Sequence, residues 1–173
     1  MGPIPDGRDP DDYDRLRRRI LWSMPSGLYV LGTRSGDRRN LMTLNWATQV
    51  STQPKLVAVS VESTALSADL IREGACFAIS ILHRSDRSLV RRFVKPVADD
   101  DDGVTIAGFD VAAGGSGAPV LVQAAAWLDC RLHLTVPLGS HCLFIGEVVD
   151  CGGETAGSPE LLRMEDTRMS YGG

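Results

Sequence analysis

No CxxC pair, no apolar run of membrane-spanning length and no glycine-rich phosphate loop occurs in these 173 residues. Each absence removes a class of protein. A spanning helix needs about 20 consecutive apolar residues, so none is expected. The four cysteines, Cys76, Cys130, Cys142 and Cys151, are scattered, and three lie in apolar stretches. That usage fits reduced, mostly buried thiols of a cytoplasmic protein rather than a disulfide framework. The opening MGPIPDGRDPDDYDRLRRR has no apolar core followed by a small-residue cleavage site, which argues against a secretory leader. Histidines are few: His83, His133 and His141. Cys130 and His133 are three apart on an expected strand, where odd spacing puts side chains on opposite faces, so no metal site is expected. Neither a P-loop nor a GxGxxG turn opening a helix is present. The segment GGSGA (114–118) nearly matches a nucleophile elbow but ends in Ala118, and no helix pattern follows it. The formal net charge of -4 gives no footprint for nucleic acid.

What remains is an ordinary globular composition, 43% hydrophobic and 23% charged, of a length that suits one domain. Asp9-Pro10 offers a cap followed by proline at the first helical position, and Tyr13, Leu16 and Ile20 recur at helical spacing, so a helix is expected to about Trp22. The rest reads mainly as strands: 28–33, 41–50, 55–61, 76–82, a long bent region over 121–136, and 142–151. Residues 35–40, 51–54, 112–119 and 137–140 read as turns or loops. Two further short helices are expected, over 66–73 with Gly74 as its stop and over 85–93. The four carboxylates of Asp99–Asp102 suit a solvated, self-repelling loop better than a cation site. Many short strands with a few short helices point to a closed antiparallel barrel.

Three segments carry candidate chemistry. NLMTLNWAT (40–48) places Asn40, Thr43, Asn45 and Thr48 in a strand-like run around Trp46. Polar groups buried there need partners, which a heterocycle rich in donors and acceptors would supply; a half-exposed strand would find them in water. In VESTALSADLIREG (61–74), Ser63, Thr64 and Ser67 lead into a short helix. Hydroxyls and free N–H groups at a helix N-terminus suit a phosphate, with Arg72 one or two turns on; simple N-capping by Ser63 or Ser67 is compatible with that use. In PLGSHCLFIGEV (137–148), His141 sits on a turn before a strand, where it is either an exposed turn residue or a contact for a nicotinamide or substrate.

The order of LYVLGT (28–33), NLMTLNWATQVSTQPKLVAVSV (40–61), TALSADLIREGACFAISIL (64–82) and GSHCLFIGEVVD ending at Asp150 resembles the flavin reductase-like family of FMN-binding split barrels. The resemblance covers roughly residues 20–151, after an N-terminal arm and helix start over 1–19 and before a tail over 152–173 whose MEDTRMSYGG is also similar. It implies a mainly β fold, a six-stranded antiparallel Greek-key barrel with a few short helices. It also implies a homodimer, bound FMN (or FAD), and flavin reduction by NADH or NADPH, often for a partner flavin-dependent monooxygenase. Carried over by position, Thr43, Leu44, Asn45, Trp46 and Ala47 would lie along the isoalloxazine, with backbone N–H groups around 44–47 bonding its edge. Ser63, Thr64 and Ser67 would hold the phosphate. His141 matches the turn histidine on the nicotinamide side and is the expected catalytic residue. Two positions depart from the pattern: Ser140 stands where Asp often precedes the histidine, and Glu62 adjoins the phosphate segment. A flavin-binding electron-transfer protein, or a split barrel using deazaflavin or haem, would share the same frame.

Overall fold

A computed structural model describes residues 2–97, 99, 100, 102–154, 159–167 and 169. Helix α1 (Pro10–Trp22) starts where the cap is expected: Asp9 Oδ1 accepts from the Asp11 and Asp12 N–H groups, and Pro10 occupies the first helical position. Strands follow as β1 (Tyr29–Ser35), β2 (Arg38–Leu44), β3 (Ala47–Thr52) and β4 (Lys55–Glu62); then α2 (Leu66–Gly74) and β5 (Cys76–Ile81). After two 3-10 turns (Arg84–Asp86 and Leu89–Phe93) come β6 (Thr105–Ile106), β7 (Phe109–Ala113), β8 (Pro119–Leu121), β9 (Ala126–Leu138) and β10 (His141–Gly153). The short strands β6, β7 and β8 form a small sheet of their own.

The main sheet has seven strands in the order β2-β1-β5-β9-β10-β4-β3, and every pairing is antiparallel. Its two edges, β2 and β3, are consecutive in the chain and separated only by Asn45 and Trp46. The run expected as one strand over 41–50 is therefore split. Leu44 still pairs with Tyr29 on one edge, whereas Ala47 pairs with Val59 on the other, and the Ser60 N–H bonds the Trp46 carbonyl at 3.0 Å. With residues 38–52 taken as one interrupted strand, the sheet is a six-stranded split barrel, not the closed one expected: its edges β2 and β3 are joined by the chain at Asn45–Trp46 and not by a ladder.

Both faces of the strands are covered. Inside the barrel, Leu31, Val59, Phe77, Ile79, Cys130 and Phe144 pack with Ala68 and Ile71 of α2. On the other face, Val30, Leu41 and Leu28 pack under Leu89, Val90 and Phe93 and against Ile106 and Leu121. Burying each such large side chain contributes about 1.5–3 kcal/mol. The apolar pattern of 85–93 was expected to be helical. It instead forms two tight 3-10 turns, which still turn Leu89, Val90 and Phe93 inward. The tail returns along the barrel: Leu162 exchanges backbone bonds with Leu28 and Leu82, and the Met164 N–H bonds the Ser26 carbonyl.

Within the acidic run the described carboxylates are tied to Arg39 and to groups of their own loop, with Asp100 and Asp102 exposed to solvent. Asp99 takes two bonds from the half-buried Arg39 guanidinium at 2.8 and 2.5 Å. Asp100 accepts from Thr105 Oγ1 and the Gly108 N–H, and Asp102 from the Val104 and Thr105 N–H groups. These backbone and hydroxyl bonds, those from Thr105 foremost, hold the Asp102 carboxyl below the usual carboxylate range. Asp101 lies outside the described residues. In the GGSGA segment, Ser116 gives both its N–H and its hydroxyl to the buried Asp129, so its hydroxyl is a structural donor. Cys130 is buried and His133 exposed, as opposite strand faces require. Burial pushes the Cys130 thiol up to about 12, with the Asp129 charge adding to it.

One expectation for α2 is corrected. Its left-handed terminating residue is Ala75 (φ 53°), not Gly74. Gly74 is required for a different reason, since a Cβ there would lie 1.8 Å from the Arg34 carbonyl oxygen on β1. The two positions should respond oppositely. Gly74→Ala is expected to destabilise the protein by about 2 kcal/mol or more, because backbone must move. Ala75→Gly, at an exposed position, should stabilise it by about 0.5–1 kcal/mol by relieving the left-handed conformation. Urea unfolding of the two variants checks both signs.

Candidate functional site

A cavity of about 310 Å³ opens where the barrel is split. One wall is β2 and the break after it, contributing Asn40, Met42, Thr43, Leu44 and Asn45. The opposite wall is the end of β4 and the start of α2, with Ser60, Val61, Glu62, Thr64, Ala65, Leu66 and Ser67. Leu28, Val94, Lys95, Pro96, Met164 and Met169 complete it. Its size falls within the range of small-molecule sites, about 300–1,000 Å³, and its lining is mostly apolar with a few polar groups, as such sites are.

The α2 N-terminus lies on this wall without a side-chain cap. Its N-cap is Ala65, which has nothing to offer the first-turn N–H groups. The capping expected from Ser63 or Ser67 does not occur. The Ser63 hydroxyl donates to the Gly139 carbonyl at 3.1 Å, and its N–H to the Ser140 carbonyl at 2.9 Å. The Ser67 hydroxyl is wholly buried, accepting from Asn40 Nδ2 at 2.9 Å and lying 3.4 Å from Thr33 Oγ1. Thr64 is exposed on the cavity wall and has no hydrogen bond among the described residues. An uncapped helix start carries unpaired N–H donors and partial positive charge, which suits an anion.

The sequence-derived residues divide into two groups. Thr43, Leu44, Asn45, Thr64 and Ser67 line the cavity, although the Thr43 hydroxyl is already bonded to the Val90 carbonyl. Trp46, Ala47, Ser63 and His141 do not line it. Ala47 packs against the barrel interior, and Thr48 is exposed. Trp46 and His141 meet beside the split, with ring centroids 4.9 Å apart and planes tilted by 57°. Ser63 joins that corner through its bonds to the Gly139-Ser140 turn. The three candidate segments are therefore brought to one end of the barrel. In the turn, Ser140 Oγ sits 3.0 Å from His141 Nδ1, while His141 Nε2 is buried without a partner. Arg72 is not in the cavity. It pairs with Asp69, approaches the Ser63 carbonyl and lies over the Phe144 ring.

Sequence reasoning missed Ser60, Lys95, Met164 and Met169. Lys95 follows a short 3-10 turn and the methionines belong to the returning tail, so only tertiary folding brings them here. No local pattern marks them.

Comparison with known proteins settles the family. The model of the flavin reductase like domain matches residues 21–172. This chain belongs to the flavin reductase-like family. It is 35% identical over 147 residues to the NADH-dependent flavin reductase StyB of Pseudomonas fluorescens, covering 84% of this chain and 82% of that one. It is 33% identical over 156 residues to an NADH-dependent FAD reductase of Streptomyces globisporus, covering 86% and 83%. The solved NADH:FAD oxidoreductase SgcE6 of that organism superposes with a TM-score of 0.73 at 31% identity, over 94% of this chain and 90% of that chain. A further relative is larger. The chain spans 62% of the high molecular weight rubredoxin of Moorella thermoacetica, to which it is 32% identical over 143 residues. The superposed fold is the split barrel expected from the sequence.

Two charges of opposite sign stand on the cavity wall, both exposed: Lys95 and Glu62. An anionic ligand group should feel them oppositely. Lys95→Met is expected to weaken FMN relative to riboflavin, and Glu62→Gln to tighten it, each by roughly 2–5-fold at low salt. Fluorescence titration of the two flavins against each variant measures the ratio; a ratio unmoved by both substitutions would place the phosphate away from this wall.

Proposed function

We propose that this chain is a flavin reductase that takes reducing equivalents from NADH, holds the flavin in the cavity at the split, and serves a partner flavin-dependent monooxygenase. The observation that carries the reading is the cavity walled by the strand break after β2 and the uncapped α2 start, with the Trp46–His141 corner at the same end of the barrel. The named activities of relatives that align over most of this chain agree with it.

The residues present fit a flavin. The wall mixes apolar Leu44, Val61 and Leu66 with polar Asn45 and Asn40, and Asn40 Oδ1 is a buried acceptor with no partner. A flavin supplies the hydride chemistry when bound, so the protein needs no acid or base of its own. The chain's task is placement. Leu44 and Asn45, with the backbone around 44–47, hold the ring at the break. Thr64 and the first-turn N–H groups of α2 hold the phosphate. Ser63 acts indirectly, by pinning the Gly139-Ser140 turn that carries His141. Leu28, Met164 and Met169 keep water off the opposite side. His141 stands beside Trp46 with Nδ1 engaged by Ser140, which fixes the ring that packs against the nicotinamide. The bound flavin is FMN or FAD. A homodimer is part of the proposal. Helix α1 buries no residue in its own chain and exposes Leu16 and Ile20 on one face, with Leu21 and Trp22 exposed beyond it, apolar surface that a second copy would cover.

The test is NADH consumption on addition of FMN or FAD; no consumption above the protein-free rate would overturn the proposal. His141→Ala is expected to slow flavin reduction roughly tenfold or more while leaving flavin affinity within about twofold, since the imidazole aligns the nicotinamide and does not line the flavin cavity. Rapid mixing with NADH reads the first quantity and equilibrium titration the second. An unchanged reduction rate would make His141 a turn residue only.

A further inference from the structure

Among the described residues of the cavity lining, those exposed to solvent fall in two segments. Glu62, Thr64 and Leu66 belong to the end of β4 and the start of α2, whereas Val94, Lys95 and Pro96 follow the second 3-10 turn. These two segments form the solvent-side rim of the cavity, and they are held very differently. The first is fixed by its own secondary structure and by Ala68, Leu70 and Ile71, which α2 buries completely. In the second, Lys95 and Pro96 have no hydrogen bond to another element among the described residues. It is held at its two ends. Before it, Phe93 is wholly buried; after it, Val97 packs on the same apolar cluster and Asp99 meets Arg39. Arg39 lies on β2 within the ladder to β1, so it belongs to the rigid wall. Its Nε and Nη2 donate to the two oxygens of Asp99 at 2.8 and 2.5 Å, and both side chains are nearly buried, 13% and 15% exposed. The same guanidinium donates to the Gly103 carbonyl at 2.9 Å and the Thr105 carbonyl at 3.2 Å. A two-point, charge-assisted pair of this kind fixes geometry as well as adding energy. Removing either partner leaves the other charge poorly compensated.

We propose that Arg39 is a positioning residue: acting through Asp99, it holds Val94, Lys95 and Pro96 on the rim and thereby sets how fast flavin passes between the cavity and solvent. This rests on the flavin reading of the cavity and adds to it the control of exchange. Neither Arg39 nor Asp99 lines the cavity, so the pair acts on passage and leaves the reduction of bound flavin alone. Freed at Asp99, the rim segment remains anchored only by the apolar packing at Phe93 and Val97. Entry and exit use the same opening, so loosening it speeds both.

Rapid mixing of the full chain with FMN over a range of concentrations gives the association and dissociation rates as slope and intercept. Asp99→Asn and Arg39→Met are each expected to raise both rates roughly tenfold, while the rate at which NADH reduces bound FMN stays within about twofold. Arg39→Lys keeps the charge but not the two-point fit, and should fall between wild type and Arg39→Met. Asp99→Asn preserves shape and decides the matter if the methionine variant does not fold. Unmoved FMN rates in Asp99→Asn, even with a lowered thermal midpoint, would overturn the proposal by making the pair purely structural. A rise in dissociation alone, or an equal fall in the reduction rate, would overturn it as well. Wild-type protein that binds no FMN defeats the flavin reading itself, whereas wild-type binding with unmoved variant rates defeats only the role given to Arg39.

Discussion

The barrel is split because one stretch of chain serves both edges of the sheet. Residues 38–44 pair with β1 and residues 47–52 pair with β4, so the chain must cross from one edge of the sheet to the other within Asn45 and Trp46. These two residues join strands that lie on opposite edges of the sheet and do not pair with each other, so no ladder runs through them. The strands part there, and the opening is the mouth of the cavity. The helix α2 stands against the same gap because Ala68 and Ile71 must be buried in the barrel interior. Its uncapped first turn is thereby carried to the cavity wall. Placement of the site follows from the split in the barrel, and the polar residues there are spared from pairing needs that a continuous ladder would impose.

Local signals in the sequence were strong enough for most elements. Asp9 and Pro10 announce α1 because a cap acts on its own next residues. Lys55–Val61 and Cys76–Leu82 read as strands because their apolar density is local. The break at Asn45–Trp46 was not legible: β-prone residues continue through it, and the reason for the break is the distance between two sheet edges. The 84–93 segment shows the same limit. An inward-facing trio of Leu89, Val90 and Phe93 satisfies a helix and a pair of 3-10 turns equally, and packing over β2 decides. Gly74 was read through its backbone freedom, yet what demands glycine there is the Arg34 carbonyl on another element.

The candidate site was legible in part for similar reasons. Asn40, Asn45 and Thr64 stand out as polar residues in β-rich or helix-opening contexts, and family resemblance orders them. What the structure changes is the division of labour. Ser63 and Ser67 look like equivalent phosphate ligands in the sequence, but one hydroxyl braces the His141 turn and the other locks Asn40. Trp46 faces His141 rather than the cavity. Lys95 and the two methionines enter only through the fold.

The central claim is that the break at Asn45–Trp46 and the start of α2 form one flavin-binding surface. Backbone hydrogen exchange measured with and without FMN tests it most directly, because it reads every segment at once. The account predicts that FMN slows exchange chiefly over residues 44–47 and 64–68, with little change along β7, β8 or α1. Protection that spares both of those segments, or that concentrates on another face of the barrel, would contradict it.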